Sequence, residues 1–143
     1  MAISQAVANS FKSEILQGIH DLESGGDVFK LALYTSAAVL SSATTSYSAT
    51  SQVPDTGQYV AGGGVLQSQQ VSLATGGVAI VDFADLSFTG VTLTARGALI
   101  YNSTEAKKAV CVLDFGSDKT ATSGTFTIQF PNFTSTAAIL RIA

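Results

Sequence analysis

Charge is scarce in this chain. Of its 143 residues only 12% are Asp, Glu, Lys or Arg, about half the usual quarter of a globular protein. The formal net charge is −3 and the sequence pI is about 4.8. Nucleic-acid binders carry a basic patch or stripe, so no nucleic-acid partner is expected. The single cysteine, Cys111, excludes an intrachain disulfide framework. It lies in the apolar run Ala109-Val110-Cys111-Val112-Leu113, where a small buried core residue is expected. One histidine, His20, and one cysteine cannot build a Cys/His zinc site within the chain. No apolar stretch approaches the ~20 residues of a membrane span, so no membrane partner is expected either. The opening Met1-Ala2-Ile3-Ser4-Gln5 has neither the basic nor the apolar region of a secretory signal. Folding in a cytoplasm is the expectation that follows.

What the chain has instead is apolar residues, at 46%, and a polar quota filled largely by Ser and Thr. A disordered tail would have few apolar residues and high net charge, so that class is excluded. The length suits one domain, residues 1–143, on a prior of roughly 100–200 residues per domain. A mean hydropathy of +0.36 is high for a soluble monomer. Either the surface is rich in Ser, Thr, Gly and Ala, or other subunits cover much of it. The second reading is preferred, because apolar surface left in water marks an interface.

The first segment has a helical pattern. Ile3, Val7, Phe11, Ile15 and Ile19 recur every four residues, with Ala8 and Leu16 beside them. Ser4 serves as N-cap and Gly18 as stop, which predicts an amphipathic helix of about four turns. Residues 1–22 thus form a helix and linker. The stripe covers either the protein's own sheet or a neighbouring subunit, and Ile3, Val7, Phe11 and Ile15 are interface candidates on the second reading.

After the turn Ser24-Gly25-Gly26-Asp27 the periodicity changes to two. Phe29, Leu31 and Leu33 share one face of a half-buried strand. Residues 35–56 are Ser/Thr/Ala-rich and read as a long irregular excursion. Loops of this length are usually functional or packed on a partner, which adds Tyr47, its only aromatic residue, to the interface candidates. Val65, Val71 and Leu73 share one parity with Gln67 and Gln69. Thr75-Gly76-Gly77 is a hairpin break, and 78–83 is a strand. Leu86-Ser87-Phe88 and 91–101 follow, the latter one strand or two joined at a bulge by Gly97. Asn102-Ser103-Thr104-Glu105 is a turn, 108–115 a strand, and 116–124 a polar break. Phe126, Ile128 and Phe130 alternate with polar residues and are expected to face the core. Residues 137–142 close the chain. Short strands between turn signals predict an antiparallel β-sandwich over 27–143, of jelly-roll or immunoglobulin-like connectivity, with one N-terminal α-helix.

No chemistry-bearing motif appears. Val81-Asp82-Phe83-Ala84-Asp85 echoes Leu113-Asp114-Phe115-Gly116-Ser117-Asp118, but no loop has calcium-ligand spacing, so no metal is expected. Arg96 lies in an uncharged stretch. A buried arginine needs a carboxylate, and Asp82 and Asp114 are the candidates for a structural ion pair. Gly62-Gly63-Gly64 lacks the lysine and helix of a phosphate cradle. His20 has Asp21 beside it but no identifiable nucleophile. Tyr34, Tyr47, Tyr59 and Tyr101 form no visible sugar-stacking cluster. No catalytic residue, no cofactor and no enzyme activity are expected.

Four segments nonetheless form a pattern. They are Lys30-Leu31-Ala32-Leu33-Tyr34-Thr35, Leu93-Thr94-Ala95-Arg96-Gly97-Ala98-Leu99-Ile100-Tyr101-Asn102, Leu113-Asp114-Phe115-Gly116, and Gly124-Thr125-Phe126-Thr127-Ile128-Gln129-Phe130-Pro131. Together they resemble small structural proteins from the virions of tailed bacteriophages, most like a capsid decoration, or cement, protein. The resemblance implies a β-rich, non-enzymatic virion component assembled in the host cytoplasm. It implies partners in copies of itself, as a trimer, and in the major capsid protein. The alternative is a tail or fibre component that binds a neighbouring virion protein or a host glycan.

Overall fold

The structure, a computed structural model, describes residues 2–131, 134 and 137–142. Met1 and Ala143, the ends of the span read as one domain, lie outside them. The chain is mainly β, with 49% strand and 6% helix. In order the elements are β1 (Ala6–Val7), α1 (Asn9–Leu16), β2 (Phe29–Tyr34), β3 (Gly64–Val65), β4 (Gln70–Ala74), β5 (Val78–Asp82), β6 (Leu86–Asn102), β7 (Lys108–Ile128) and β8 (Leu140–Ile142). They form two sheets, ordered β1-β7-β6-β2-β3 and β4-β5-β8, with every pairing antiparallel.

The larger sheet is organised by one long hairpin, β6 of 17 residues and β7 of 21. Near its turn the hairpin lies between β2 and β1, and its residues are buried on both faces, as Ala98, Leu99, Ile100, Ala109, Val110 and Val112 are. Farther out, burial alternates. Phe88, Val91, Leu93 and Ala95 point inward, and Ser87, Thr92 and Thr94 point to solvent. The expected break at 116–124 is therefore strand over its whole length. Threonine is a strong strand former, and the hydroxyls pair across the ribbon: Ser87 with Thr127 at 2.9 Å and Thr94 with Thr120 at 3.0 Å. Polarity here marks a solvent face, not a turn.

The bulge expected at Gly97 is present. Ala95 pairs with Lys119 and Gly97 with Asp114, so Arg96 alone faces Phe115, Gly116, Ser117 and Asp118. A Cβ at Gly97 would stand 2.5 Å from the Leu113 carbonyl oxygen and 2.9 Å from an Ile3 methyl, so only glycine fits.

β2 has no solvent face. Leu31, Ala32 and Leu33 are fully buried and Lys30 half-buried, because β6 and β3 flank the strand and the core lies on both sides. The alternation at 65–73 divides instead between β3 and β4, with Ser68 at φ 56 between them. Val65, Val71 and Leu73 are exposed, not core. The break at 75–77 holds, with Gly76 and Gly77 both at positive φ between β4 and β5.

The long helix expected from Ser4 is a two-turn helix preceded by extended chain. Ile3 bridges Leu40, Ala6 pairs with Val112 and Val7 with Cys111, and the Ala8 N–H donates to the Val110 carbonyl at 3.0 Å. The buried half of β7 needs a partner for its edge, and satisfying that backbone outweighs helical spacing. The cap is Ala8, without a side-chain hydrogen bond, and Gly18 at φ +73 follows the helix end as expected.

Residues 35–56 contain no named strand and pack on the larger sheet. Ala38, Leu40 and Val53 are buried. The Val53 N–H donates to the Leu33 carbonyl at 2.9 Å, and the Tyr34 hydroxyl donates to the Ser48 carbonyl at 2.6 Å.

Candidate docking surface

Helix α1 is positioned by a buried polar cluster between its last turn and the tip of the β6–β7 hairpin. Asn102, fully buried at the end of β6, accepts at Oδ1 from the backbone N–H groups of Thr104 and Glu105, at 3.0 and 3.1 Å. That fixes its amide, so Nδ2 donates to Asp27 Oδ2 at 2.8 Å and to His20 Nδ1 at 3.0 Å. With Nδ1 accepting, the imidazole carries its proton on Nε2, which donates to Glu14 Oε1 at 2.9 Å. Glu14 belongs to α1, and its second oxygen lies 3.9 Å from Lys108 Nζ. Phe11 packs on the His20 ring at 4.8 Å between centroids, and His20 lies 6.5 Å from Phe29. One face of α1 is thus sewn to the core.

The other side of α1 borders an open groove of about 620 Å³. Its opposite wall is one face of the small sheet. Val71 pairs with Val81 and Val81 with Leu140; Leu73 pairs with Ala79 and Ala79 with Ile142. By the two-residue period these side chains share a face. Ile15 and Leu16 line the helix side, and Leu16 is 89% exposed. Ile142, 59% exposed, lines the groove on β8, and Leu73, 73% exposed, carries the apolar surface beyond it. Lys12, Asp21 and Glu23 are its charged lining on the helix and on the segment after it.

The structure separates the sequence candidates. Ile3 and Phe11 are core, at 8% and 5% exposure. Val7 and Ile15 line the groove while packing partly on the core. Tyr47 lies elsewhere: it stacks on Tyr101 with centroids 4.8 Å apart, and Lys107 Nζ stands 5.5 Å over its ring.

The ion pair is corrected. Arg96 Nε donates to Asp118 Oδ1 at 2.9 Å, not to Asp82 or Asp114, and the Arg96 side chain is 36% exposed. The bulge supplies the reason, since it brings Asp118 opposite Arg96 at the solvent face. Asp114 accepts from the Gly116 N–H at 2.8 Å and shapes that bulge. Asp82 stands opposite Gln70 in the small sheet.

Sequence reasoning missed Leu16 as an exposed knob and Asn102 as the centre of the buried cluster. Leu16 sits one position after Ile15, so in a two-turn helix it points away from the core. Nothing in the sequence sets Asn102 apart from an ordinary turn residue. Cys111 is buried as expected, and burial pushes its thiol up to about 12. Among the described residues no cluster of His, Cys, Asp and Glu could hold a metal ion, and no helix is long and apolar enough to cross a membrane. Searches of family models, of curated proteins and of solved structures each found no significant match for this chain.

Proposed function

We propose that this chain is a non-enzymatic structural protein of a bacteriophage virion, most like a cement protein, that docks on neighbouring subunits through the apolar groove beside α1. The observation that carries the docking part is the apolar surface of Leu16, Val71, Leu73 and Ile142, exposed in and beside the groove. Monomers rarely leave such patches bare. The virion part draws its support from the segments quoted above, now placed on β2, β6 and β7, the scaffold of the larger sheet. The major capsid protein is the neighbour this reading names. The sandwich form belongs to the proposal too: Gly64 on β3 lies against Phe88 and Leu86 of β6, as a sheet folded over on itself would place them.

A glycan-binding tail or fibre component draws less support. Tyr34, Tyr59 and Tyr101 are buried, so they offer a sugar no stacking surface. The test is immunogold labelling of particles made from the genome that encodes the chain. Label over the head supports the proposal, label confined to the tail supports the alternative, and unlabelled particles refute both.

A further inference from the structure

We propose that the groove between α1 and the β4-β5-β8 sheet is filled by a second copy of this chain, in a two-fold contact in which Leu16 of each copy enters the groove of the other. The proposal rests on reading this groove as a docking face. Three observations select a second copy as the occupant.

The first is shape. Leu16 is the most exposed large apolar side chain among the described residues, and it stands on the wall of the groove. Knob and hole are parts of one patch. A two-fold axis lets both copies use both features at once, whereas a head-to-tail contact leaves a bare knob at one end and a bare groove at the other.

The second is charge. Lys12 lines the groove on the helix, and Asp21 and Glu23 line it on the following segment. Among the described residues Lys12, Asp21 and Glu23 take no part in the ion pairs His20–Glu14, Arg96–Asp118 and Lys108–Glu14. A patch that presents both signs in this way is complementary to itself. A two-fold operation brings Lys12 of one copy to the carboxylates of the other.

The third is extent. The apolar surface continues past the groove onto Leu73, which is 73% exposed and not part of the lining. A small apolar molecule seated in the groove would leave Leu73 in water, but a protein surface laid across it covers it.

The experiment is sedimentation equilibrium of the full chain up to about 100 µM, a range that detects even weak dimers, with native mass spectrometry alongside. A dimer of the 14.6 kDa chain is expected. Leu16→Glu is expected to weaken it about 30-fold or more, the size of a central interface residue, with an unchanged circular dichroism spectrum because Leu16 is exposed in the monomer. Lys12→Glu should also weaken it, and adding Glu23→Lys should restore it. A monomer at the highest concentration, a trimer, a dimer indifferent to Leu16→Glu, or a monomer carrying a small molecule in the groove overturns the inference. A monomer that still adds to virus particles overturns it while leaving the proposed function standing. A dimer that never appears on particles does the reverse.

Discussion

Replacing Asn102 by alanine tests whether the buried polar cluster holds α1 in place. The wild-type amide uses its full capacity, two acceptor positions and two donors. The four losses are not equal. Thr104 is exposed and Glu105 half-exposed, so water can take over their N–H groups at little cost. His20 Nδ1 is different: its side chain has no exposure, and without Asn102 it has a buried acceptor and no donor. That costs about 1–3 kcal/mol. Asp27 loses a charge-assisted bond but keeps the one from the Asp21 N–H at 3.0 Å, for a further ~1–2 kcal/mol. The cavity left by the amide adds to this, so the loss should total about 3–5 kcal/mol, a large share of a typical domain's stability. Urea denaturation at pH 7 with an unchanged m-value measures it. A loss below about 1 kcal/mol would show that water or a rearranged His20 replaces the amide, and the account of the cluster would fail.

Stability should fall in alkaline solution. Burial raises the Cys111 thiol from its ordinary 9.0 to about 12, and the buried Tyr101 hydroxyl from 10.0 to about 12, with Tyr34 and Tyr59 pushed up as well. Because the folded state holds these protons more tightly, their contribution is complete below pH 9 and is lost as pH climbs toward 12. Cys111 alone accounts for a loss of the order of 4 kcal/mol, and urea titrations from pH 8 to 11 that show no decline would contradict this. Phe126→Ala should cost about 3–5 kcal/mol and Ile128→Ala about 2–5 kcal/mol, as buried residues do. Phe130 is only half-buried, packing on Phe83 at 6.3 Å between centroids, and should cost less in the same urea series. Deleting residues 1–18 should unfold or aggregate the protein rather than merely detach it, since it removes Ile3, Ala8 and Phe11 from the core and bares the β7 edge. A truncated chain with an unchanged melting curve would refute that.

Legibility in the sequence followed local physics. The hairpin break at 75–77, the turn read at 102–105 and found between Asn102 and Lys108, the Gly97 bulge and the inward faces of Phe126 and Ile128 depend on turn chemistry and the two-residue period, which neighbours in sequence carry. The N-terminal helix is shorter than its spacing predicts, for the opposite reason. Spacing by fours at Ile3, Val7 and Phe11 is compatible with a helix, but the edge of β7 competes for the same residues, and that edge is more than 100 positions away in the chain. The strand at 116–124 was hidden because threonines facing solvent resemble a loop in composition. The partner of Arg96 depended on the bulge that carries Asp118 across to it, and register across a bulge cannot be read from one strand alone.

The same competition explains why an apolar groove persists beside α1. A short amphipathic helix next to an apolar sheet face would gain by tilting onto it and burying Ile15 and Leu16 against Val71 and Leu73. Tilting would pull Glu14 away from His20 and Lys108 and draw Ala8 off the Val110 carbonyl. Closing the groove from within would therefore leave the buried His20 Nε2–H and the Glu14 carboxylate without partners, a cost comparable to the few kcal/mol that two leucine-sized side chains contribute by burial. Helix α1 is held where its polar contacts set it, and Gly18 at φ +73 follows its end. Held in that way, the groove is formed before any partner arrives, and a partner that fills it meets no ordering cost in the helix. Such preorganisation converts a modest apolar area into useful affinity. The buried cluster around Asn102 and the exposed knob at Leu16 are in this sense one device, the first fixing where the second points.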